Sequence, residues 1–241
     1  MTSTRSGSPD SPTSPRSART PRSAAPSPLL PVLAYTALTA AYVVTNRETP
    51  QPDASGREVL TYAQTHSTAI NLGALLLTAA AAALVWAAPA LLRTRAPQGR
   101  TRTWALASGV LAAVALVASG VFAFLGGALP ADGDPGEARD LADLAFLTGG
   151  PAFAATLGLL IAGVALRNPP LPGALRVTGF ALAAAGLISL LTPAVAAFGY
   201  LLPLVRFGGL IWLIVAAVRV RRSGRTEAGT GAEAGTGAGA V

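Results

Sequence analysis

Six apolar runs, at about residues 28–46, 69–92, 104–129, 147–166, 177–197 and 200–218, divide this chain, and its polar residues fall mostly between them or in the two tails. A bilayer's hydrocarbon core is about 30 Å thick, and roughly 17 to 25 helical residues cross it. Each run is therefore long enough to span. Only 12% of residues are charged, about half the share of an ordinary soluble domain. The pattern predicts an all-α polytopic membrane protein, a six-helix bundle whose first partner is the lipid bilayer.

The net charge of +7 invites a nucleic-acid reading, but all 18 basic residues are Arg, and most sit at the edges of apolar runs. A nucleic-acid domain would gather them on a polar fold. The chain has no Cys, which removes disulfides, thiol catalysis and Cys-ligated metals. With His66 as its one His, neither a zinc nor a haem site is expected. Without Lys there is no phosphate-binding loop of the usual kind. Paired intramembrane aspartates would need two at depth, and only Asp143 comes close. A Ser-His-Asp set has only His66 to draw on, and no nucleophile-elbow sequence accompanies it. No catalytic set and no cofactor is expected.

Residues 1–27 are rich in Ser, Pro, Thr and Arg and have no apolar core, so they read as a disordered tail rather than a signal peptide. Residues 219–241, first basic and then Gly/Ala-rich with a short tandem repeat, read as disordered too. Ser55-x-x-Glu58 and Asp134-Pro135-Gly136-Glu137 are helix-start signals, so the second and fourth membrane helices begin before their apolar runs. Gly149-Gly150-Pro151 predicts a kink in the fourth. Spans five and six are expected as an antiparallel hairpin with its turn near Gly199. Orientation follows from arginine. Fourteen of the 18 lie in the N-tail, the loops at 93–103 and 167–176, and the C-tail. Only Arg47, Arg57 and Arg139 lie on the opposite side. The positive-inside rule then places both termini in the cytoplasm of a plasma-membrane protein.

Lipid offers helices no hydrophobic drive to associate, so packing should rely on small residues. Ala154-x3-Gly158-x3-Ala162 and Ala105-x3-Gly109-x3-Ala113 are the best seams. A repeated helical hairpin is suggested by the second and fourth helices, which share a capped start and a Leu-Arg end. Chance similarity between Ala/Leu-rich segments explains this better.

Among polar residues, Arg206 stands out because a charge within a span is costly. It lies about 9 Å below the outer boundary, counted at 1.5 Å per residue from Tyr200. Its side chain leans outward, toward the helix N-terminus. Asp143 is its expected partner, with Asp140 one turn further out. His66 and Asn71 sit near the outer interface of the second helix. With Asn46, Thr148, Thr192 and Tyr200 they suggest a polar outer vestibule. The inner halves hold little beyond Ser108, Thr178 and Ser189.

Thr65-His66-Ser67-Thr68 leading into an Ala/Leu-rich span, the stretch from Asp143 to Gly150 and the Arg-closed last span resemble six-span integral membrane proteins of actinobacterial type. The resemblance covers about residues 28–222. It implies a membrane address and carries over no activity and no catalytic residue. Two functions fit. The preferred one is a non-catalytic accessory, envelope or sensor protein, acting through a membrane-protein partner or a second copy. The alternative is a small-solute transporter or channel with an outer gate at Arg206 and Asp143. No substrate is specified.

Overall fold

The computed structural model describes residues 27–93, 99–168 and 171–236, with side chains to Ser223. Every regular element among them is helical. Helix α1 is Leu29–Thr45, and the short α2, Gly56–Thr65, leads into α3, Ser67–Leu91. After α4, Arg100–Gly127, comes α5, Pro135–Leu147, which passes through a π-helical turn at Thr148–Ala152 into α6, Phe153–Arg167. Helix α7 is Gly173–Ile188, and α8 is Leu201–Thr236. Five stretches are long and apolar enough to cross a membrane: Ser67–Leu91, Arg100–Gly127, Pro135–Arg167, Gly173–Leu191 and Ala196–Ser223. Helix α1 is apolar but shorter, at 17 residues. The outer flanks carry large exposed apolar side chains such as Leu75, Val114, Val177 and Ile211. Such a belt suits lipid and would be a liability in water.

The helix starts follow the sequence signals. Ser55 Oγ accepts from the Glu58 amide at 3.3 Å. Asp134 Oδ1 accepts at 2.9 Å from the amide of Gly136, one residue before the expected Glu137. The two starts meet: a side chain on Gly56 would collide with the Pro135 carbonyl. At the expected kink the chain inserts the π turn. Pro151 has no amide to donate, so the regular ladder cannot continue through it, and the wider turn absorbs the fault.

Two boundaries differ from expectation. The fifth span does not reach Ala197. Helix α7 tightens into a 3₁₀ turn at Ser189–Leu191, the chain reverses at residues 192–195, and a second 3₁₀ turn holds Ala196–Tyr200. The Ser189 and Thr192 hydroxyls bond the carbonyls of Gly186 and Ser189, each at 2.6 Å, and Pro193 cannot extend a helix. Helices α7 and α8 are still packed neighbours. The second difference is the stretch from 219, expected to be disordered, which continues α8 to Thr236. Extending an existing helix needs no new nucleus, although the glycines in this stretch are poor helix formers. The tail at 1–26 and the loop residues 94–98 lie outside the described residues.

Six helices, the five long apolar stretches and α1, form a closed ring. Helix α1 packs on α3, α3 on α4, α4 on α6, α6 on α7 and α7 on α8, and α8 returns to α1. Small residues set the approach. Gly158 of the first predicted seam sits on Ala183 of α7, while Gly186 leaves room for the Ala154 carbonyl. In the second seam Gly109 faces Ala88, and Ala105 fills the space left by Gly163. Helices α2 and α5 pack together at one end of the ring, α5 also running along α4, and Gln64 there bonds the Pro130 carbonyl. The opposite end is tied by Asn168, buried, whose amide donates to the carbonyls of Val164 at 2.8 Å and Leu91 at 3.3 Å.

Candidate functional site

A cavity of about 530 Å³ lies inside the ring at the α2–α5 end. Its wall uses the last turns of α1 and α4 and the first turns of α3, α6 and α8. On α4 it runs from Ser119 to Gly127, a depth of about 12 Å at the helical rise. It extends no further than Leu77 on α3, Ala154 on α6 and Phe207 on α8. Beyond those levels the ring is filled by buried side chains, among them Leu84, Ala87, Ala112, Leu116, Leu160 and Leu213. The cavity is a chamber with a packed floor.

Arg206 projects into it from the first turns of α8. Its guanidinium carbon lies 5.4 Å from the ring centre of Phe153 and 5.6 Å from that of Tyr42. These are cation–π distances, and they hold the charge between two aromatic faces. Its Nη2 donates to the Gly149 carbonyl at 3.3 Å. That carbonyl belongs to the π turn, so one fault in the α5–α6 helix supplies the anchor for the charge. Ser119 Oγ, on α4, braces the last turn of α5 just before the π turn, donating to the Ala145 carbonyl at 2.8 Å. Gly149 must be glycine for Ser119 to come so close.

The expected ion pair between Arg206 and Asp143 does not form, although both residues line the chamber. Asp143 is taken by Arg139, one helical turn earlier, at 2.9 Å. The nearer cation wins because it shares a helix face and needs no reach across the cavity. Arg139 also donates to the carbonyls of Ala54, at 2.6 Å, and Pro52. It thus staples α5 to the α1–α2 connection over the mouth of the chamber. Sequence reasoning counted Arg139 only as an outer-loop charge. Its i,i+4 spacing to Asp143 was the available signal. Ser119 and Gly73 were also missed. Gly73 gives room to Asn46, whose amide bonds the Tyr42 carbonyl at 3.1 Å.

The remaining candidates scatter. His66 closes α2, stacks on Tyr62 with ring centres 4.5 Å apart, and has Nε2 3.4 Å from a Glu48 carboxylate oxygen. It is not part of the chamber wall, and neither are Asn71 and Asp140, both exposed. Of the other vestibule residues, Asn46 lines the chamber. Tyr200 is 86% exposed, Thr192 is spent on its local turn, and Thr148 bonds the Leu144 carbonyl. Among the described residues, no three His, Asp or Glu side chains converge as metal ligands would. No family model, curated protein or solved structure matches the chain.

Proposed function

We propose that this protein is a six-span plasma-membrane protein with both termini in the cytoplasm, acting as a non-catalytic accessory, envelope or sensor protein through a chamber open to the outer side. The sixth crossing is α1. Its 17 residues reach about 26 Å, close to the thickness of the hydrocarbon core, and it packs on both α3 and α8. The orientation rests on the arginine asymmetry, which puts the chamber and its acidic connections outside. The observation that carries the reading is the chamber's floor. A cavity of ligand size stops partway through the bundle, above close-packed Ala and Leu.

Transport is the second reading, and a charged side chain in a membrane chamber is what favours it. It would require the Ala/Leu floor to open. The two readings separate in vesicles reconstituted with the full chain. Small anions, cations and neutral solutes should leak no faster than from protein-free vesicles. Flux that depends on the protein and falls on replacing Arg206 would establish transport instead.

A further inference from the structure

We propose that the chamber binds a single-chain amphiphile carrying one negative charge, of the alkyl carboxylate kind, with its head on Arg206 and its chain along the apolar wall. This rests on the reading of the cavity as a ligand chamber and names the chemistry of what enters it.

The charge balance is the first ground. Three charged side chains line the chamber: Arg139, Asp143 and Arg206. Arg139 and Asp143 neutralise one another. Arg206 has no carboxylate partner among the described residues, so the chamber carries one net positive charge. A guanidinium has five N–H donors in a planar fork, and the protein engages Arg206 through one bond, to Gly149. The free side of the fork suits two oxygens of a carboxylate or phosphate. One unbalanced cation in a site of low dielectric selects a head of one charge, since a second negative charge there would go unmatched.

The wall is the second ground. Around Arg206 it is built from apolar groups, with Phe122, Phe146, Phe153 and Leu77 among them. A small hydrated anion gains nothing from such surroundings, whereas an alkyl chain does. The chamber also reaches two surfaces. Gln51 and Pro52 line it and are exposed at the polar end; Pro203 and Phe207 line it and are exposed on the apolar flank of α8. Helix α8 has no substantial packing against α5 on that side. An amphiphile can arrive through the flank from the lipid, with its head drawn to the one charge inside.

The test uses the full chain in nanodiscs of neutral phosphatidylcholine and radiolabelled dodecanoate as probe. Protein-bearing discs should show a saturable site, one per chain, above the partitioning into empty discs. Unlabelled decanoate should compete, acetate and inorganic phosphate should not at a thousandfold excess, and dodecanol should compete at least tenfold more weakly. Arg206→Gln should weaken dodecanoate at least tenfold, with Arg206→Lys in between. Ala142→Trp, which fills the chamber and leaves Arg206 in place, should abolish the site and guards against a poorly folded Arg206→Gln. The proposal is overturned by any of three results: no saturable site, dodecanol equal to dodecanoate, or Arg206→Gln as tight as the parent. Competition by acetate or phosphate would assign the charge to a free anion and overturn the amphiphile. None of these results touches the packed floor, which is read by flux and thiol labelling.

Discussion

At the arginine-rich end of the bundle, Gly163 seats against Ala105 and Gly109 against Ala88, so that α4 meets α6 and α3 almost backbone to backbone. At the α2–α5 end the same helices diverge around a chamber of about 530 Å³. Both ends draw on Ala, Gly and Leu, so composition does not separate them. Continuity of the helices does. Toward the packed end α4 and α6 are unbroken and their small residues recur every four positions, which lets them close on one another. Toward the hollow end α5 passes into α6 through the π turn, α3 is preceded by a break at His66, and α8 starts only after two 3₁₀ turns. A fault in a membrane helix frees carbonyls that lipid cannot satisfy; here Arg206 answers that of Gly149, and Ser119 adds a bond to the Ala145 carbonyl one turn before it. The polar groups of the hollow end are there because the helices are interrupted there.

The largest contrast between the ends should appear on adding bulk. Gly163→Leu would force α4 from α6 and should cost roughly 3 kcal/mol or prevent folding. Ala142→Leu, in the chamber wall, should cost under about 1 kcal/mol, since its side chain has room. Unfolding in mixed micelles measures both, and equal losses would mean that the chamber is not a stable cavity.

A smaller effect is expected at the staple. Arg139→Gln gives up the ion pair and weakens two carbonyl contacts, and should cost about 2 kcal/mol. In a double-mutant cycle Arg139 and Asp143 should couple by about 1 kcal/mol, while Arg206 and Asp143 should be additive within about 0.5 kcal/mol. Strong coupling of the second pair would restore the ion pair expected from sequence and remove the free cation from the chamber. A smaller loss than at Arg139 is expected at Ser119→Ala. It should cost about 1 kcal/mol, because the Ala145 carbonyl keeps the Thr148 amide as a partner. A loss of several kcal/mol there would show that the π turn depends on α4 rather than on Pro151.

The all-helical, membrane-spanning character, both helix starts, the fault at Gly149–Pro151 and the two small-residue seams were legible in the sequence, because each depends on neighbours within a few residues. The partner of Arg206 was not. Depth along a helix can be counted, but which carboxylate is already engaged depends on a competitor, and Arg139 lay one turn from Asp143 on the same face. His66 and Asn71 share the chamber's level yet stay outside its wall, since level says nothing about which side of a helix faces inward. The extension of α8 beyond Val218 went unseen for another reason: low complexity was read as disorder, whereas a helix already nucleated upstream can be extended.

The central claim is a chamber open to the outside above a packed floor, and thiol labelling tests it most directly. The chain has no Cys, so a single introduced one reports without background. A charged, membrane-impermeant methanethiosulfonate is applied to intact cells carrying Ala123→Cys, in the chamber wall, or Ala112→Cys, fully buried about three turns below it. Ser55→Cys, in the exposed connection, serves as the positive control. The account predicts that Ser55→Cys and Ala123→Cys react and that Ala112→Cys does not. Reaction at Ala112→Cys as fast as at Ala123→Cys would mean a water-filled path through the floor, and silence at Ala123→Cys with Ser55→Cys reactive would mean no open chamber; either result would contradict it.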